Sequence, residues 1–170
     1  MKNKNPLKKE AQTIGMSVAD DSDFLSQYCE IGKPVIAGEV AEFLENAASE
    51  YHPDQTFTLD IKSDCIDETE KPRYVAAIEN YYDLKLAEVN REIRRKSFIA
   101  ALFAAIGIIA LAVMIILSAN NLGAIWTECI DIFAWVFLWE AVDQFFIERS
   151  GLLLKARRFK RFTQMPIRFI

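Results

Sequence analysis

The stretch "FIAALFAAIGIIALAVMIILSA", residues 98–119, holds 22 residues and not one charge. At 1.5 Å per residue a helix of that length exceeds the roughly 30 Å of a bilayer's hydrocarbon core, so it predicts a transmembrane span. Ala100, Ala104 and Gly107 recur at helical spacing, as do Ala101 and Ala105. Small residues so placed permit close backbone approach by another helix, either the chain's own next span or a neighbour in an oligomer.

The run "NNLG" (120–123) then predicts a turn, and the apolar segment 122–142 a return span. The hairpin so defined covers 97–147, with spans at 98–118 and 122–142. Arg91, Arg94, Arg95 and Lys96 precede the first span; Lys155, Arg157, Arg158, Lys160 and Arg161 follow the second; the turn has no cation. Cations favour the cytoplasmic side, so both termini are expected in the cytoplasm and the hairpin in the cytoplasmic (inner) membrane. Trp126 and Trp139 then fall near the two interfaces, where indoles are favoured.

The return segment carries four acids: Glu128, Asp131, Glu140 and Asp143. A turn centred near Asn120 sets residue 98 level with 142 and residue 109 with 131. Glu140 and Asp143 are then read as interfacial salt-bridge partners of Arg95 and Lys96, and Glu128 as close to outer water. Asp131 falls near the midplane opposite a stretch without a cation, where an ionised carboxylate is costly. Asp131, with Glu128, is the candidate intramembrane polar site. Its two uses are a proton or cation path and a neutral, hydrogen-bonded contact that holds an oligomer together.

Ahead of the hairpin lies an acidic half. Residues 1–90 hold 18 Asp/Glu against 9 Lys/Arg, and residues 91–170 hold 11 Lys/Arg against 6 Asp/Glu. Residues 1–22 are polar and aperiodic and are read as a disordered tail, residues 23–96 as an acidic cytoplasmic α+β domain. Within it "GKPVIAGEVAEFLENAASEY" predicts a helix with Pro34 in the first turn and an apolar face of Ile36, Val40, Phe43, Leu44 and Ala47. "TFTLDIKS" alternates as a half-buried strand, with Phe57, Leu59 and Ile61 on one side. Such a strand needs a partner for its backbone groups; "PIRFI" (166–170) is proposed for it, with homodimeric pairing as the rival. Pro72 then opens a helix striped by Val75, Ile78, Tyr82, Leu86, Val89 and Ile93, with no breaker before the first span.

After the hairpin, residues 148–170 read as a basic amphipathic helix and a terminal strand. Lys155, Arg157, Arg158, Lys160 and Arg161 suit anionic lipid headgroups; docking onto the acidic domain is the competing use. The fold class is therefore mainly α and membrane-embedded: a two-helix hairpin with a small cytoplasmic α+β domain. Cys29, Cys65 and Cys129 have neither disulfide-framework nor metal spacing, and His52 has no second histidine beside it, so no metal site or cofactor is expected. The basic N-terminus is followed by no apolar run, which argues against a cleaved signal. Catalytic signatures (a Gly-rich phosphate loop, G-x-S-x-G, H-E-x-x-H) are missing, and nucleic acid is not an expected partner.

Trp135, Val136, Trp139 and Glu140 form a W-V-x-x-W-E motif, with Asp143 just after it, a basic helix and "PIRFI". The run resembles the C-terminal part of a family of small uncharacterised bacterial two-span membrane proteins, and the likeness extends over about residues 33–170. It implies the architecture and no activity. A mid-membrane carboxylate in a hairpin's second helix is also similar to the rotor subunit of rotary ATP synthases. That family, however, is smaller, has a basic connecting loop and lacks an acidic domain. The function expected is a non-enzymatic membrane adaptor or assembly protein that binds a membrane-protein partner or self-associates; the alternative is an oligomeric proton or ion conductor using Asp131.

Overall fold

In the computed structural model, residues 12–51, 56–120 and 123–170 are described; His52 lies outside them. The chain divides into two units, Met1–Leu86 with Arg157–Ile170, and Ala87–Ala156.

The first unit is built on a parallel three-stranded sheet. Its strands are β1 (Gln12–Val18), β2 (Phe57–Ser63) and β3 (Ile167–Phe169), in that spatial order. Residues 12–18 are thus a strand and not part of a disordered tail: Ile14 and Met16 alternate with exposed neighbours and bury against the core. The proposed partner of β2 is in place, with Leu59 opposite Ile167 and Ile61 opposite Phe169. On β2's other side Ile14 faces Leu59 and Met16 faces Ile61. Flanked on both edges, β2 is the central strand, and even Thr58 on its polar side is 9% exposed.

Helices cover the apolar side of this sheet. The first, α1 (Gly38–Ser49), buries Ala41, Leu44 and Ala48. Its start lies after the expected Pro34 because residues 24–36 form a hairpin instead. Leu25 bridges Ile36, Glu30 bridges Lys33, and Gly32 takes φ +80° at the tip. That dihedral is open to glycine at little cost, and it lets the Lys33 N–H close onto the Glu30 carbonyl at 2.9 Å. Phe43 lies outside the buried face of Ala41, Leu44 and Ala48 and is 45% exposed. The second helix, α2, is one rod from Lys71 to Ala119. In its first part Tyr74, Ala77, Ile78 and Tyr82 are buried, and the Asn80 side chain holds the hairpin by donating to the Pro34 carbonyl at 3.0 Å.

The third helix is longer than expected. It runs as α3 (Ala124–Val142), a π-helical segment (Asp143–Glu148) and α4 (Arg149–Phe162) without a break. At its C-terminal end Phe159 and Phe162 pack in the core of the first unit, which the periodicity of 148–162 left open between lipid and the acidic domain. Phe162 is edge-to-face with Phe57 and stacked on Tyr82. Full burial of each such side chain contributes about 1.5–3 kcal/mol.

In the second unit, α2 and α3 lie antiparallel. Gly107 abuts Leu138 and the Ala134 carbonyl, and Phe103 meets Phe137 at 5.6 Å between ring centres. Ala100, Gly107, Ala134 and Ala141 are buried. The Ala100, Ala104 and Gly107 row therefore faces the chain's own α3, whereas Ala101 and Ala105 are exposed.

Candidate functional site

The polar side chains of the second unit fall into two groups. The first surrounds the π-helical segment. A π turn adds a residue to the helical repeat and re-aims the side chains around it. Here Glu148 reaches Lys96 and forms their ion pair. The Gln144 amide donates to the Glu140 carboxylate at 2.9 Å, and the Arg149 guanidinium lies 4.7 Å from the centre of the Phe145 ring. Beside this cluster is a groove of about 330 Å³, lined by Ser97, Ala100, Ala104, Ala141, Val142 and Phe145 among others.

The expected pairing of Glu140 and Asp143 with Arg95 and Lys96 is thus replaced. Lys96 takes Glu148, Glu140 takes Gln144, and Arg95 is exposed. The cause is register: residue 96 meets 148, not the level of 144 that an ideal hairpin about Asn120 demands. A π segment leaves no mark on a 3.6-residue hydrophobic pattern, so Glu148, Gln144 and Arg149 had no signal beyond their own polarity.

The second group is Glu128 and Asp131. Glu128 is exposed and Asp131 half-buried. Asp131 lies one turn before Ala134, on the side of α3 that meets α2, and residues 107–114 of α2 carry no polar side chain. Among the described residues its carboxylate has neither a hydrogen bond nor an ion pair.

The basic run begins at Lys155 in the second unit, and its residues from Arg157 onward belong to the first, where Phe159 and Phe162 pack in the core. Lys155, Arg157 and Lys160 are exposed, Arg158 and Arg161 half-buried. The terminal strand is locked by Arg168, whose Nε and Nη2 donate to the two Asp60 carboxylate oxygens at 2.8 and 3.1 Å. The Tyr74 hydroxyl donates to Asp21, and burial, with that contact second, pushes the phenol well above its ordinary value. All three cysteines are free. Among the described residues no group of three or more His, Cys, Asp or Glu is placed to hold a metal ion.

Searches of family models, curated proteins and solved structures found no match. What the chain does must be argued from its own residues.

Proposed function

We propose that the chain is a membrane-anchored adaptor or assembly protein. In this reading α2 from about residue 98 and α3 cross the cytoplasmic (inner) membrane as a two-span hairpin, both termini are cytoplasmic, and the acidic sheet domain binds a partner protein without catalysis. One observation carries the reading. The 98–119 part of α2 belongs to a helix long and apolar enough to cross a membrane, and little of that stretch is buried inside the protein. Ile109, Ile116, Ile132, Trp135 and Trp139 are each more than 60% exposed. Exposed apolar surface on that scale has no counterpart on ordinary soluble monomers, and lipid would cover it.

The test is fractionation followed by topology mapping. Alkaline carbonate must leave the chain in the membrane pellet. With the three cysteines replaced by serine, Asn120→Cys must react with an impermeant maleimide from outside intact cells, and Ser17→Cys only after permeabilisation. Release by carbonate overturns the anchor; labelling of Asn120→Cys only from inside overturns the orientation.

The unpartnered Asp131 favours a second reading, an oligomer of hairpins that conducts protons or cations. Proton flux into liposomes that is abolished by Asp131→Asn supports it, and correctly inserted protein without flux removes it.

A further inference from the structure

The two edges of the sheet are built differently. β3 has three residues, follows Pro166 and bears Arg168. Shortness, proline and charge are the usual devices that keep an edge strand from pairing with another chain. β1 has none of them: "QTIGMSV" is seven residues without charge, proline or bulge, and among the described residues its only strand partner is β2. Unpaired N–H and C=O groups along such a strand are a template for one more strand.

Two hollows follow that edge. One, of about 390 Å³, lies between Thr13–Gly15 and the Phe43, Ala47 and Tyr51 side of α1. The other, of about 340 Å³, lies between Met16–Ala19 and Glu39, Val40 and Phe43. Phe43 borders both, and neither is lined by any residue of β2 or β3, so both open on the outer side of β1. Backbone groups with hollows at intervals beside them, here one mainly apolar and one of mixed lining, are the two elements of strand addition: the main chain supplies affinity, and alternate side chains enter the hollows.

The charge at the rim selects the occupant. Asp20, Asp23 and Glu39 border one hollow and Glu50 the other, and among the described residues no Lys or Arg lines either. We infer that the outer edge of β1 receives an extended segment of a partner protein, with apolar residues at alternate positions and lysine or arginine between them. This rests on the adaptor reading and gives it a binding site.

The test uses the full chain in lipid nanodiscs and two labelled synthetic peptides, one alternating valine with lysine and one alternating valine with glutamate. The lysine peptide binds by fluorescence anisotropy, more weakly as salt rises, and slows hydrogen exchange of the 12–18 amides. Phe43→Ala weakens it about tenfold, the scale of a buried aromatic anchor. Glu39→Lys with Glu50→Lys, both at exposed positions, moves the preference towards the glutamate peptide. Equal binding of both peptides, or binding without protection of β1, overturns the inference. So does a dimer whose β1 amides are protected before any peptide is added. A chain released by carbonate overturns the membrane anchor but leaves the peptide result standing, whereas an embedded chain that ignores the peptide overturns this inference alone.

Discussion

Tyr82 and Phe162 stack with ring centres 4.2 Å apart and planes within 9° of parallel, and both side chains are almost wholly buried. One comes from α2 before the apolar stretch and the other from the end of α4 after it. Phe162, with Met165, is therefore a buried apolar attachment of the C-terminal segment to the sheet domain. Phe162→Ala should lower stability by about 3–5 kcal/mol, the cost of emptying an aromatic site in a packed core. Denaturant unfolding of the full chain in mild detergent reads this, and the 167–169 amides should lose exchange protection in the same variant.

The Tyr82 hydroxyl is buried and has no hydrogen-bond partner among the described residues. An unpaired buried hydroxyl costs about 1–3 kcal/mol, while the ring keeps its contacts when the oxygen is removed. Tyr82→Phe should therefore raise stability by about 1 kcal/mol. A loss of stability in the same unfolding assay would contradict it.

Alkaline pH should act through the same residue. Burial, followed by the nearby Glu45 and Tyr81, raises the Tyr82 phenol far above its ordinary value near 10. The folded state thus keeps a proton that the unfolded chain gives up. Its contribution is intact below about pH 10 and is lost as pH climbs towards the folded value, because the unfolded state then binds fewer protons. Tyr74, raised in the same direction, adds to the trend. Stability measured from pH 9 to 11 should fall, and the fall should be shallower in Tyr82→Phe.

Much of this fold could be read from patterns that local physics imposes. The alternation of Phe57, Leu59 and Ile61 marked β2, and Pro166 before two apolar residues marked its partner. Pro72 with the stripe through Ile78 and Tyr82 marked α2. β1 escaped because "QTIGMSV" has only Ile14 and Met16 facing inward and lies among polar residues; its strand conformation comes from pairing with β2, a tertiary effect. The α1 boundary moved for a similar reason, since Val35 and Ile36 are held across from residues 24–26. Of the candidate polar site, the identity of the acids was readable but not their partners. Those depend on the local geometry of the π segment, which sets Glu148 beside Lys96.

Gly107 tests the helix packing of the second unit. A Cβ there would lie 2.7 Å from Leu138 Cγ and 3.3 Å from the Ala134 carbonyl oxygen. Alanine gains about 1 kcal/mol of helix propensity and loses about 1–3 kcal/mol to overpacking. Gly107→Ala should be near neutral to mildly destabilising because the Leu138 side chain can shift. Gly107→Leu, which no shift of one side chain accommodates, should lower the thermal midpoint in detergent clearly more than alanine does.

Lys96 and Glu148 should behave as a coupled pair. Lys96→Ala and Glu148→Ala each remove the contact, so the double variant should lose less than the sum, by about 0.5–1 kcal/mol. Exchanging the charges, Lys96→Glu with Glu148→Lys, should recover part of the loss. Strict additivity in thermal unfolding would show that the pair contributes nothing.

The parallel pairing of β2 with β3 has a consequence for how the chain is made. Asp60 and Arg168, joined across these strands, are 108 residues apart. During synthesis β1, α1 and β2 emerge early, yet one side of β2 stays unpaired until α2, α3 and α4 have all been translated. For that interval the nascent domain exposes a hydrogen-bonding edge and an empty place for Phe162. Completion of the sheet therefore waits on synthesis of the intervening helices.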